Sequence, residues 1–161
     1  MQRVEGITGR AQHFDGSSSY IQMKNTASSK LNFKQNDVFS ISAWVNLDTV
    51  TAENQMVAGK GILQYYLKCK PPLLGYCYEF AEYYDNNGWY TTTSDKINPV
   101  AKTWAYMVGI REGTKQRFYL NGELVGSILY KTPNSLSRDE SEDFSIGRYL
   151  KEAVSPSNFW L

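Results

Sequence analysis

The chain has 161 residues, seventeen basic and sixteen acidic, for a formal net charge of +1. That length suits one domain able to bury roughly two thirds of its unfolded surface without a staple. The charge balance leaves no electrostatic footprint for nucleic acid or an anionic membrane, and no apolar run reaches the roughly 20 residues of a membrane-spanning helix.

Aromatic residues make up 14% of the chain, with twelve Tyr and four Trp, which favours strands and binding surfaces built from rings. Gln2-Arg3-Val4-Glu5 follows Met1 without the apolar stretch of a signal peptide. The one His, His13, and the two Cys, Cys69 and Cys77, leave little material for a zinc site or a Ser-His-Asp triad. His13 reads as a surface or strand-edge residue without a chemical role.

No window carries a sustained helical stripe, whereas period-2 alternation is common. Asp15-Gly16-Ser17-Ser18-Ser19 is a turn. Phe39 to Val45 (FSISAWV) is a strand with Phe39, Ile41, Ala43 and Val45 on its core face. Trp44 points the other way, and both Trp44 and Trp104 are expected to pack in covered positions. Ala58-Gly59-Lys60-Gly61 is a turn with none of the spacing of a phosphate cradle.

Pro71-Pro72-Leu73-Leu74-Gly75 reads as a five-residue hairpin loop with Lys70 opposite Tyr76. Cys69 then falls opposite Cys77, at a spacing close to what a disulfide needs; two free core thiols are the alternative. Gln64 to Tyr90 is the most aromatic stretch, with Tyr65, Tyr66, Tyr76, Tyr78, Tyr83, Tyr84, Trp89 and Tyr90. Some of these rings belong in the core. The others suit a platform on which sugar rings stack, with Asp85, Asn86 and Asn87 orienting hydroxyls. The expected ligand-binding set is therefore Trp89, Tyr90, Tyr83, Tyr84, Asp85, Asn86 and Asn87.

Thr103 to Ile110 alternates, with Trp104, Tyr106, Val108 and Ile110 on one face. Arg117 to Leu120 and Glu123 to Ile128 form a hairpin around Asn121-Gly122, the pair a type I′ turn prefers because both central residues need positive φ. Ser137 to Asp143 (SRDESED) is a solvated loop, and Asp143 to Arg148 is a short strand. Short strands at this spacing predict an all-β, two-sheet antiparallel sandwich or jelly roll over residues 1–161.

Four segments together resemble a laminin-G-like jelly roll of the pentraxin-related, concanavalin A-like type. They are Gly6 to Gly16 with Tyr20-Ile21, then FSISAWV, then Trp104 to Val108 with Arg117 to Ser127, and finally Phe144-Ser145-Ile146-Gly147-Arg148. The resemblance spans residue 4 to about 160. It implies a mostly non-catalytic binding role in a secreted or cell-surface protein, with a glycan or an extracellular protein as partner, no nucleic acid and no membrane insertion. An adhesion module without a sugar site is the first alternative.

Laminarinase-type glycoside hydrolases share the broad fold and are the second alternative. Their acids lie on one strand in a Glu-x-Asp-x-x-Glu pattern, whereas the nearest candidates here are Glu79, Glu82 and Asp85. Glu79 and Glu82 fall on opposite faces of a strand, and Asp85 lies in a turn. A retaining glycosidase needs two carboxyls about 5–5.5 Å apart. The pentraxin resemblance also brings in calcium (Ca2+), with Glu53-Asn54 matching one ligand loop and Glu152 the other. That is a thin set for an ion that takes six to eight oxygens. The family further implies a closing strand beside the opening one, and the sequence stops at Leu161 before it. This predicts an unpaired edge along Ala11 to Met23 and a strand-edge dimer as one way of covering it.

Overall fold

The computed structural model describes residues 2–34, 37–61, 64–70, 75, 77–84, 88–95, 97–130 and 142–148. Among these there are twelve strands and no helix. They are β1 (Gln2–Glu5), β2 (Arg10–His13), β3 (Ile21–Met23), β4 (Phe39–Asn46), β5 (Gln55–Lys60), β6 (Tyr65–Lys70), β7 (Cys77–Tyr84), β8 (Gly88–Thr93), β9 (Trp104–Glu112), β10 (Lys115–Leu120), β11 (Glu123–Leu129) and β12 (Phe144–Ile146). Every pairing is antiparallel. A four-stranded sheet runs β11-β10-β9-β4 and a six-stranded sheet runs β3-β12-β5-β6-β7-β8, with β1 and β2 as a separate hairpin. This is the expected all-β sandwich.

The core lies between the two larger sheets and follows the period-2 pattern. β4 sends Phe39 and Val45 inward to meet Leu67 and Phe80 of the facing sheet, with Ile41 and Ala43 packed against the same cluster. Burying a side chain the size of Phe80 stabilises the fold by roughly 1.5–3 kcal/mol. Asn121 and Gly122 both have positive φ, 52° and 88°, as the type I′ turn between β10 and β11 requires.

β9 inverts a simple hydrophobicity argument. Its more apolar face, Trp104, Tyr106, Val108 and Ile110, points outward and is half-buried, while Ala105, Met107, Gly109 and Arg111 point into the core. Size decides this. A Cβ at Gly109 would lie 2.4 Å from the Phe80 ring, so Phe80 occupies the space that a larger inward residue would need. Trp44 is likewise not covered: it is 48% exposed and stacks on Tyr106 at 4.8 Å on the outer face of the four-stranded sheet.

Arg111 and Glu82 are fully buried in the core, 3.7 Å apart. The Arg111 Nη2 group donates to the Lys34 carbonyl at 2.6 Å. The Tyr130 hydroxyl donates to Glu82 Oε1 at 3.4 Å and also to Gln116, whose amide donates to the Phe80 carbonyl at 2.9 Å. Charges in such a place persist only when paired and hydrogen-bonded.

Two expectations about register are resolved here. Cys69 lies opposite Tyr78 and Cys77 opposite Lys70, one residue away from the predicted opposition. Residues adjacent in alternation face opposite sides of a sheet. Cys69 therefore sits in the core and Cys77 on the other face, and both are free thiols rather than a disulfide. Burial raises the pKa of both thiols. The stretch Ala11 to Met23 is split into parts of β2 and all of β3, each paired on one side only among the described residues. The strand that accompanies β2 is β1, which the sequence did not announce.

Candidate functional site

The face of the six-stranded sheet turned away from the core gathers the side chains left over by alternation. Strand pairing places Lys70 beside Cys77, Lys68 beside Glu79 and Thr93, Tyr66 beside Ala81 and Thr91, and Tyr83 beside Trp89. The rings form one group. Tyr66 and Trp89 have centroids 4.8 Å apart, and Tyr83 meets Trp89 edge-on at 5.2 Å. Tyr66 is buried, Tyr83 is half-buried, and Trp89 is 38% exposed. Trp89 thus presents ring surface to solvent while two tyrosines hold it in place.

Beside the rings lies a charged cluster. Glu79 is 2% exposed and receives Lys68 Nζ at 3.1 Å, Lys70 Nζ at 2.9 Å and the Tyr66 hydroxyl at 3.1 Å. The Lys68 ammonium also stands 4.7 Å from the centre of the Tyr66 ring. Burial alone would lower the Lys70 pKa, but the hydrogen bond and charge of Glu79 outweigh it and raise the pKa. This network fixes Tyr66, and Tyr66 braces Trp89. Lys68 and Lys70 were not singled out from sequence, and Tyr66 and Glu79 were named only in the aromatic stretch and as a candidate acid, outside the expected ligand-binding set. The signal that finds them is the alternation of Tyr66, Lys68 and Lys70 along β6.

The expected site residues divide between the two faces. Trp89 and Tyr83 come together as described. Tyr90 does not join them: it points into the core and packs edge-on against Tyr130 at 4.6 Å, because alternation takes it away from Trp89. Tyr84 pairs through its backbone with Gly88. Asp85, Asn86 and Asn87 lie outside the described residues. Of the three acids considered for hydrolysis, Glu79 and Glu82 are on opposite faces of β7, each engaged by cations.

For calcium, Glu53 and Asn54 occupy the turn before β5, where the Glu53 N–H donates to the Thr51 hydroxyl at 3.3 Å. Asn54 Oδ1 is buried without a hydrogen-bond partner among the described residues. Glu152 lies outside them. No group of three or more His, Cys, Asp or Glu suited to hold a metal ion occurs among the described residues. Of the expected calcium ligands, only Glu53 and Asn54 fall among the described residues.

The backbone resembles several solved structures at low identity. Domain 4 of AbnA, a GH43 extracellular arabinanase from Geobacillus stearothermophilus solved with arabinotriose, aligns at TM-score 0.64 and 15% identity over 93% of this chain and 67% of that one. The CBM40 of a Ruminococcus gnavus IT-sialidase, bound to α2,3-sialyllactose, aligns at TM-score 0.61 and 8% identity over 89% and 84%. Domains LG4-5 of the mouse laminin α1 chain align at TM-score 0.58 and 13% identity; they cover 89% of this chain, which spans only 36% of theirs. No curated protein matches by sequence. The family model of laminin-G type described as the concanavalin A-like lectin/glucanases superfamily matches residues 15–159. With that match across nearly the whole sequence and a two-sheet sandwich beneath it, the chain belongs to the concanavalin A-like lectin/glucanases superfamily.

Proposed function

We propose that the protein is a non-catalytic glycan-binding module of a secreted or cell-surface protein, with a sugar ring seated on Trp89. The observation that carries this reading is the exposed Trp89 ring braced by Tyr66 and Tyr83. A sugar's C–H face packs on such a plane, and a held ring loses little entropy on binding. Lys68, Lys70, Thr91 and Thr93 share this face and are the polar groups for its hydroxyls. The arabinotriose and sialyllactose complexes of the similar domains support sugar as the ligand class.

The test is a glycan array, run with and without calcium, followed by titration of Trp89→Ala. Loss of the ring should weaken the best ligand at least about tenfold, or about 1.4 kcal/mol, while the melting temperature stays near that of the parent. A parent protein silent on a broad panel would overturn the reading.

A second reading, protein recognition without a sugar site, is favoured by the outer face of the four-stranded sheet. Trp44 and Leu124 are exposed there, with Leu129 at the edge of the same sheet. Scattered surface hydrophobics need no explanation, and the stacked Trp44–Tyr106 pair is the grouped feature that supports this second reading.

A further inference from the structure

Beside Trp89 the charges of the outer face cancel. Lys68 and Lys70 both close on the carboxylate of Glu79, at 3.1 and 2.9 Å. The Glu79 side chain is 2% exposed, whereas the two lysines keep 13% and 23% of theirs in solvent. Asp95, exposed two residues past the end of β8, accepts a hydrogen bond from the Thr93 hydroxyl, and its charge stabilises the Lys70 ammonium. Cys77, opposite Lys70, adds no charge, because burial raises its thiol pKa. Among the described residues of this patch, two ammonium groups therefore stand against two carboxylates.

The patch lies within the span of an oligosaccharide resting on Trp89. Only the Tyr66 ring separates the two: its centre is 4.8 Å from that of Trp89 and 4.7 Å from the Lys68 ammonium. An ammonium carries three N–H groups. Glu79 holds each lysine in place, and the remaining N–H groups donate to neutral acceptors such as hydroxyl and ring oxygens.

We infer that the ligand of the Trp89 surface is an uncharged oligosaccharide, and that Glu79 is the residue that turns acidic sugars away. This rests on the glycan reading above and narrows it. A sugar carboxylate entering the patch meets two cations that are already neutralised. It also meets a fixed carboxylate in a poorly solvated place, where like charges repel most. The sugar loses hydration of its own charge without gaining an unpaired cation in exchange. A hydroxyl group carries neither cost.

The experiment is a glycan array of matched pairs that differ by one sialic or uronic acid, followed by titration of the parent and of Glu79→Gln at low and high salt. The parent should bind the neutral member at least about tenfold tighter than its acidic counterpart. Its affinity should change less than about twofold across the salt range. Glu79→Gln keeps the length of the side chain and removes its charge. It should gain at least about tenfold for the acidic members, and high salt should abolish that gain. Parent binding that is equal for the two members, that favours the acidic one or that weakens steeply with salt overturns the proposal while leaving a sugar on Trp89. A folded Glu79→Gln that gains nothing for acidic glycans overturns it as well; if that variant does not fold, the parent's preference and salt dependence decide. Silence across the whole array overturns the glycan reading itself, so the two failures are told apart.

Discussion

Gly109 gives the sharpest test of how the two sheets meet. A methyl group there would lie 2.4 Å from two atoms of the Phe80 ring and 2.8 Å from a third. Phe80 has no room to retreat, being fully buried and set edge-on to Phe39 at a centroid distance of 6.4 Å. Gly109→Ala should therefore cost about 1–3 kcal/mol of overpacking, partly offset by the roughly 0.5–1 kcal/mol that Ala gains over Gly within regular structure. For a domain of this size the melting temperature falls about 2–4 °C per kcal/mol. Urea unfolding of four proteins closes a double-mutant cycle: parent, Gly109→Ala, Phe80→Leu and the double variant. Because the two residues touch, Phe80→Leu should relieve the added methyl, with an interaction energy of about 0.5 kcal/mol or more. A neutral Gly109→Ala, or strictly additive effects, would refute the claim that the Phe80 ring sets the identity of residue 109.

Three further outcomes are expected. Glu82→Ala leaves Arg111 buried without its carboxylate and should cost about 3–5 kcal/mol in chemical denaturation, whereas joint replacement of Glu82 and Arg111 by apolar residues of similar size should cost much less. The Asp15 carboxylate accepts the backbone N–H groups of Ser18, Ser17 and Ser19, which hold its pKa well below the usual carboxylate range. A depressed pKa stabilises the folded state above the unfolded value, roughly 3.9, and that contribution fades as pH falls toward the folded value. Asp15→Asn should thus lower the melting temperature at neutral pH, with a deficit that narrows in acid; a deficit that widens in acid would contradict this. Unfolded, unreduced protein should titrate two thiols per chain, and a count of zero would restore the disulfide.

The strands carrying alternation were legible from sequence because local pattern and tertiary burial agree there. Phe39 to Val45 faces the core as its periodicity predicts, and Asn121-Gly122 turns as its backbone preference predicts. What failed depended on register or on volume. A one-residue shift between β6 and β7 separates Cys69 from Cys77, and no local signal fixes that shift. The inward face of β9 is set by the ring of Phe80, a residue distant in sequence. The candidate surface was half visible: Trp89 and Tyr83 stood out as aromatics, but the alternation that sends Tyr90 into the core also brings Tyr66 and the Glu79 cluster to the outer face. Reading the aromatic stretch as two alternating faces, rather than one rich segment, recovers most of that division.

The connection between β3 and β12 carries a consequence for the order of assembly. Gln22 and Asp143, which bond across this pairing, are separated by 121 positions. The meanders β5-β6-β7-β8 and β9-β10-β11 are built from neighbours in sequence and close short loops, whereas β4 must wait for β9 and β3 for β12. Contacts so distant slow folding because chain entropy is lost before they form. During synthesis β3 emerges well before β12, its pairing partner among the described residues, so this ladder stays open until residues 144–146 are made. Throughout that interval the nascent chain presents Ile21 and Met23 on an open ladder, the type of surface that chaperones hold.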